Sequence, residues 1–180
     1  AEVIKIEPPS GEPGRRLAPF IQDKPSLDSS LPFFYLNSNK KGITIHLKTE
    51  NGISILKDFI KKTDVIIENF SPGTLNNLGI GYDTIHSINP SAVVVSISNF
   101  GQTGPYKDYK ATEIIEYALG GLMGIFGAYD KSPIKHELNQ EQLKAATNAA
   151  NAALMAAYWS KLNGKGQQHE VSIQERLTYG

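Results

Sequence analysis

The chain opens on an alternation of apolar and polar residues, Val3-Ile4-Lys5-Ile6-Glu7, which predicts a short strand. A second alternation, Ile43-Thr44-Ile45-His46-Leu47, predicts another strand with one face buried. Between them, residues 8–31 hold Pro8, Pro9, Gly11, Pro13, Gly14, Pro19 and Pro25. That composition predicts a long loop, and long loops in compact domains are often functional. Ile53, Ile55, Leu56, Phe59 and Ile60 then recur at helical spacing, so residues 50–61 read as a helix. Val65-Ile66-Ile67 is a continuous apolar run, the pattern of a strand buried on both faces. Two small helices follow at 75–78 and 82–88, Asn89-Pro90 breaks the chain, and residues 92–98 form a second apolar strand. Strands that alternate with helices predict a doubly wound, Rossmann-like parallel sheet flanked by helices, joined by right-handed crossovers.

The second half is helical. Residues 113–126 predict a helix bent at Gly120-Gly121 and Gly124. Residues 139–162 predict a long alanine-rich helix, with Gly164 as its C-terminal cap. The alanines at 145, 146, 149, 150, 152 and 153 permit close packing, so this stripe reads as core contact. Residues 168–173 read as a further strand, and Leu177-Thr178-Tyr179-Gly180 as the start of another helix. No internal repeat, low-complexity tract or heptad pattern interrupts this order.

At 180 residues, the chain predicts one α/β domain or a large part of one, here residues 1–180 as an incomplete domain. Lys plus Arg and Asp plus Glu both number 18, so no overall field favours nucleic acid or an anionic membrane as partner. There is no cysteine, which excludes disulfides, thiol nucleophiles and zinc–thiolate sites. That usage fits a reducing compartment, and a cytoplasmic location is the expectation. No apolar run approaches membrane-spanning length. Glu2, Lys5 and Glu7 break the first apolar stretch, against a signal peptide. Both ends read as cut, so the expectation is a piece of a longer protein.

The candidate chemistry lies where the two apolar strands end alike. Glu68 runs into Asn69-Phe70-Ser71-Pro72-Gly73, and Ser98 into Asn99-Phe100-Gly101-Gln102-Thr103-Gly104-Pro105-Tyr106. In an open parallel sheet, ligands sit outside the carboxyl ends of the strands, so both loops are expected to line one crevice. Asn and Gly are equally ordinary turn formers, and the loops alone leave that alternative open. Glu113 follows the second loop at a helix start, with Thr112 as the expected N-cap, a position that favours an ionised carboxylate. It can equally be a plain first-turn acid. Arg15-Arg16 and Lys40-Lys41 are cations that could hold an anion or simply face solvent. The chain has neither kind of glycine-rich phosphate loop, and Gly120-Gly121-Leu122-Met123-Gly124 lies inside a helical pattern. His46, His86, His136 and His169 lack metal-site spacing, so no metal is expected. No serine sits in a Gly-x-Ser-x-Gly elbow.

In combination, these blocks resemble the N-terminal half of the family III CoA-transferases, the group with carnitine dehydratase-like proteins, the bile-acid-inducible operon F protein, formyl-CoA transferase and α-methylacyl-CoA racemase. The resemblance rests on Val3 to Pro9 with Gly11, Pro13 and Arg15. It continues in Asn39-Lys40-Lys41-Gly42-Ile43-Thr44 and in Glu68 to Leu75 with Leu78-Gly79-Ile80-Gly81-Tyr82. Ser98 to Tyr106 and Gly164-Lys165-Gly166-Gln167 with Val171-Ser172 complete it.

The resemblance implies an acyl-CoA:carboxylate CoA-transferase that works through a carboxylate nucleophile and a mixed anhydride. The nucleophile falls at Glu113, where the family has Asp. CoA contacts fall at Arg15, Lys40, Lys41, Asn69, Phe70, Gln102, Gly104 and Tyr106. No prosthetic group is implied, and the coenzyme A thioester is the substrate. The partners are an acyl-CoA, a carboxylic acid acceptor and a second copy in an interlocked homodimer. Two alternatives belong to the same resemblance. One is a CoA-binding homologue without the chemistry, suggested by Ser71 in place of Arg and by Glu113. The other is a racemase or dehydratase, although Ala111-Thr112-Glu113 stands where racemases carry Gly-His-Asp.

Overall fold

The computed structural model describes residues 1–136 and 139–178. Tyr179 and Gly180, at the end of the last expected helix, lie outside the described residues. The chain divides into two compact units, Ala1–Asp58 and Phe59–Gly180.

In the first unit, strand β1 (Ile4–Glu7) pairs in parallel with β2 (Lys41–Thr44), in the register Ile6↔Ile43 and Glu7↔Thr44. The strand expected at 43–47 therefore lies earlier. Four residues of β1 offer backbone partners only as far as Thr44, with Ile45 N–H donating to Glu7 O at 2.9 Å as the last rung. The chain then turns: Thr49 Oγ1 donates to His46 O at 2.8 Å and accepts from Gly52 N–H at 3.1 Å. That hydroxyl opens helix α2 (Glu50–Ile60). Helix α1 (Leu31–Asn37) is capped by Ser30, whose Oγ accepts from Phe33 N–H at 3.3 Å.

The long proline-rich loop is braced from within. Arg15 meets Glu7 with two bonds, Nε to Oε2 at 2.7 Å and an Nη to Oε1 at 2.9 Å. The other Nη reaches Leu27 O and Asp28, both at 2.9 Å, and the guanidinium lies 4.1 Å from the Phe33 ring centre. The Arg15 hydrogen bond holds the Glu7 carboxyl below the usual carboxylate range against the opposing effect of burial.

The second unit carries a three-stranded parallel sheet in the order β3 (Val65–Glu68), β4 (Val93–Ser98), β5 (Gln168–Ser172). Helices α3 (Thr74–Asn77) and α4 (Tyr82–Ile88) connect β3 to β4. Helices α5 (Glu113–Leu119) and α6 (Gln140–Asn163) connect β4 to β5, and α7 (Ile173–Thr178) follows directly. β4 is central and almost wholly buried. β3 is an edge strand of this sheet, so it is not buried on both faces as its apolar run suggests; Ile67 is 57% exposed. Asn89 ties the corner before β4, its Nδ2 donating to Ile60 O at 2.9 Å and Thr63 O at 3.0 Å.

The main helix–sheet contact of this unit is one seam. Ala145, Ala149, Ala153 and Ala156 of α6 pack on Val93 and Val95 of β4 and on Val171 and Ile173. Strand pleating puts alternate residues on one face, and a helix presents positions three and four apart on one side. Alanine adds almost no bulk, so the helix lies close to the sheet. Ala146 and Ala150, from the same run, are exposed. Gly164 ends α6 as expected, in the left-handed region at φ 69° with its N–H on Ser160 O at 2.7 Å.

The seam yields a direct test by urea denaturation. Ala149→Leu forces extra methylenes against β4 and is expected to cost about 1–3 kcal/mol. Ala150→Leu, on the exposed side, is expected to change stability by less than about 0.5 kcal/mol. Equal effects at the two positions would contradict this packing.

Candidate active site

Two features of the second unit offer chemistry. The first is a small polar crevice on the face of β4 opposite the alanine seam. Val94 and Ser96 floor it, Glu68 and Gln168 flank it, and Ser71, Gly73 and Gln102 come from the two echoing loops. Both loops thus border one crevice, although Asn69, Phe70, Gly104 and Tyr106 do not line it.

Asn69 and Phe70 sit exposed at the end of β3, where Phe70 N–H donates to Glu68 Oε2 at 2.8 Å. The second loop has its own carboxylate clasp. Glu170 of β5 accepts from Gln102 N–H at 2.9 Å and from Thr103 Oγ1 at 3.2 Å. Gly101 and Gly104 lie at φ 85° and 88°, a region open to glycine. Tyr106 is exposed within an aromatic cluster, its ring centre 6.3 Å from that of Phe100 and 5.2 Å from that of Tyr109. The Gln102 side-chain nitrogen is buried in the crevice without a partner among the described residues.

The second feature is a buried set of carboxyls where α5 meets α6. The second loop leads to it, with Asn99 Nδ2 donating to Ala111 O at 3.2 Å. Thr112 holds the N-cap position of α5 but makes no side-chain cap bond, a correction to the expected role. Glu113 gains its partners elsewhere. Lys135 Nζ donates to its Oε2 at 2.6 Å, and the side chain is 16% exposed. Glu113 Oε1 is buried and, among the described residues, has no donor in hydrogen-bonding geometry.

Behind it, Glu116 and Glu141 are almost completely enclosed, and among the described residues no side-chain donor meets either Glu141 oxygen. Two facing carboxylates would repel, whereas a proton between them makes a hydrogen bond. The electrostatics agree with that resolution. Burial, and after it the hydrogen bond with Glu113, push the Glu141 carboxyl up to about 7. Burial opposes ionisation of Glu113 too, but the bonds from Glu141 and Lys135 prevail and hold it below the usual carboxylate range. Burial, then the charges of Glu141 and Glu113, push Glu116 up to about 7. Its Oε2 accepts from Gln142 Nε2 at 3.4 Å. Below about pH 7 the centre can therefore present one ionised and two protonated carboxyls.

The cations expected to meet an anion, Arg15, Lys40 and Lys41, belong to the first unit. Arg15 is committed to Glu7, Asp28 and the Leu27 carbonyl. Lys40 Nζ donates to Asn37 Oδ1 at 3.0 Å, and burial, then the nearby Lys5 charge, lower its affinity for a proton. Lys41 pairs with Glu2 on the surface. Sequence reasoning missed Lys135, Glu116, Glu141 and Glu170. One signal was available for Glu141: it stands four residues before Ala145 and so extends the buried stripe of α6.

A parallel α/β scaffold with strand-end loops and a buried carboxyl centre narrows the class, and comparison with known proteins completes it. The model of CoA-transferase family III matches residues 1–179, and the chain belongs to that family. It is 38% identical over 177 residues to the formyl-CoA:oxalate CoA-transferase of Streptomyces avermitilis, covering 98% of this chain and 42% of that protein. It is 38% identical over 176 residues to the succinyl-CoA–D-citramalate CoA-transferase of Chloroflexus aurantiacus, covering 97% and 43%. It is 31% identical over 175 residues to the succinyl-CoA:(R)-benzylsuccinate CoA-transferase subunit BbsE of Thauera aromatica, covering 97% and 43%.

Among solved structures, a CAIB/BAIF family protein from Brucella suis superposes with a TM-score of 0.90 at 28% identity, covering 99% of this chain and 47% of that one. The chain thus spans less than half the length of the relatives it matches. Among the described residues, no helix is long and apolar enough to cross a membrane.

The carboxyl centre makes stability depend on pH with a definite sign. Glu116 and Glu141 hold protons more tightly folded than unfolded. Their contribution is complete below the ordinary carboxyl value of 4.5 and is lost as pH rises to about 7. Glu113 acts oppositely, only below 4.5. A thermal scan is expected to show the midpoint falling by on the order of 5 °C across the upper window, with Glu116→Gln flattening part of that slope. A midpoint that rises with pH through this window would contradict the assignment.

Proposed function

We propose that the protein to which this chain belongs is an acyl-CoA:carboxylate CoA-transferase, and that Glu113 is its nucleophile. One observation carries the reading: Glu113 sits in an almost enclosed site with Lys135 Nζ donating to its Oε2 at 2.6 Å, a bond that favours the ionised form. An ionised carboxylate with little water around it is a competent nucleophile. Its attack on an acyl-CoA would form a C–O bond to the acyl carbon and break the C–S bond, giving a glutamyl mixed anhydride and CoA thiolate.

In the same proposal, Asn69, Phe70, Gln102, Gly104 and Tyr106 contact the pantetheine arm and thioester. The unpartnered amide of Gln102 and the exposed rings of Phe70 and Tyr106 support this role. Lys40 and Lys41 meet CoA phosphates. Arg15 was expected there as well, but its bonds to Glu7 and Asp28 make it a brace of the loop, so the phosphate contact falls to the lysines. The substrate class follows from the relatives, whose names specify formyl-CoA or succinyl-CoA donors and carboxylic acid acceptors. The exposed row Leu154, Met155, Tyr158 and Leu162 on α6 supports an assembly with a second copy.

A second reading is a CoA-binding homologue without the chemistry. It is favoured by the engagement of Glu113 Oε2 with Lys135 and by the similarity to a relative named as a subunit. One experiment separates the two. Incubation with succinyl-CoA, hydroxylamine trapping and peptide mass spectrometry are expected to locate a modification at Glu113, absent in Glu113→Gln together with turnover. Binding without modification, and turnover unchanged in Glu113→Gln, would leave the second reading. A modification at Glu141 instead would overturn the choice of nucleophile.

A further inference from the structure

We propose that Glu170 is a positioning residue for the loop after β4. Its carboxylate clasps the chain at Gln102 and Thr103, and so holds the Gln102 carboxamide in the crevice, where that amide donates to a carbonyl oxygen of the pantetheine arm. The clasp rests on hydrogen-bond geometry, and its consequence for binding rests on the transferase reading.

Strand register puts the carboxylate where it can do this. In the parallel ladder, Val94 pairs with Gln168 and Ser96 with Glu170. Paired residues on neighbouring strands point to the same face of a sheet. Val94, Ser96 and Gln168 all line the crevice, so Glu170 stands on the crevice face, two residues further along β5. Its two oxygens are used separately: Oε2 accepts from Gln102 N–H at 2.9 Å, and Oε1 from Thr103 Oγ1 at 3.2 Å. Bonds to a charged acceptor are stronger than neutral ones, and two of them on separate oxygens fix both the position and the turn of the loop.

The clasp acts on a jointed stretch. Gly101 and Gly104, at φ 85° and 88°, flank the two clasped residues, and glycine gives up more backbone freedom on ordering than any other residue. The root of the loop is held separately, with Gln174 N–H donating to Asn99 O at 3.0 Å. Gln102 lies beyond that anchor, past the Gly101 joint. What the clasp positions is a donor in need of an acceptor: Gln102 Nε2 is buried in the crevice and, among the described residues, unpartnered. A buried donor left open costs free energy that an incoming acceptor restores. The pantetheine arm carries amide carbonyls, which are neutral acceptors of that kind.

The test uses the protein to which this chain belongs, with CoA as binding probe and succinyl-CoA as substrate. Glu170→Ala removes both bonds and is expected to weaken CoA binding about tenfold while kcat stays within a few-fold, because a contact made equally in ground and transition states acts on KM. Glu170→Gln keeps an acceptor for Gln102 N–H and is expected to bind CoA within about three-fold of wild type. Gln102→Ala removes the donor itself, so adding Glu170→Ala to it is expected to cost less than about twofold more. Fully additive losses, or a loss in Glu170→Ala confined to kcat, would overturn the proposal. Hydrogen exchange reads the clasp without CoA: the Gln102 amide is expected to exchange several-fold faster in Glu170→Ala. An unchanged exchange rate there would overturn the clasp. If the wild-type protein binds no CoA, the transferase reading fails and the role of the carboxamide with it, while exchange still decides whether Glu170 holds the loop. If Glu170→Ala does not fold, Thr103→Val removes one bond from the loop side and the same exchange measurement decides.

Discussion

The packing of α6 on the three-stranded sheet is the constraint from which the rest of this unit follows. Ala145, Ala149, Ala153 and Ala156 bring the helix against Val93, Val95 and Val171. A helix so close to a sheet excludes water along its whole inner face. Continued one turn toward the N-terminus, that face reaches Glu141. The alanines thus determine the environment of a carboxyl they do not touch chemically. Enclosure makes its charged form expensive, and the neighbouring Glu113 makes it more so.

The two sides of β4 divide the labour of the unit. Its odd-numbered valines serve the seam, while Val94 and Ser96 floor the polar crevice between the echoing loops. Carboxylates recur as fasteners at the strand ends: Glu68 receives the Phe70 N–H, and Glu170 receives Gln102 and Thr103. These bonds satisfy loop N–H groups that a turn would otherwise leave open. They also hold the loops that the functional proposal assigns to CoA. The same side-chain type thus works as a clasp at the sheet edge and as a titrating group in the core, and burial decides which.

Much of this was legible in the residues. Helix α4 lies at 82–88 as its apolar spacing and the following Asn89-Pro90 predict, and the parallel α/β class follows from the order of elements. Family membership was legible too, from short blocks that gain meaning in combination. What the pattern could not convey was partnership. β2 stops at Thr44 because β1 stops at Glu7, and Ile67 is exposed because β3 has one neighbour in its sheet. Arg15 reads as a free cation until Glu7 is placed beside it. Lys135 pairs with Glu113 across 22 residues of chain, beyond any local periodicity. Glu141 could have been found, since positions 141, 145, 149 and 153 share a helix face, but a lone acid in an alanine-rich helix reads first as solvated.

The central claim is that this fold keeps a carboxylic acid protonated near neutral pH at the junction of α5 and α6. Infrared spectroscopy of the chain reads that state directly, because a protonated carboxyl has a carbonyl stretch well separated from ionised carboxylate bands. The account predicts such a band at pH 6 that disappears as the pH passes about 7. A spectrum at pH 6 with carboxylate bands alone would contradict it.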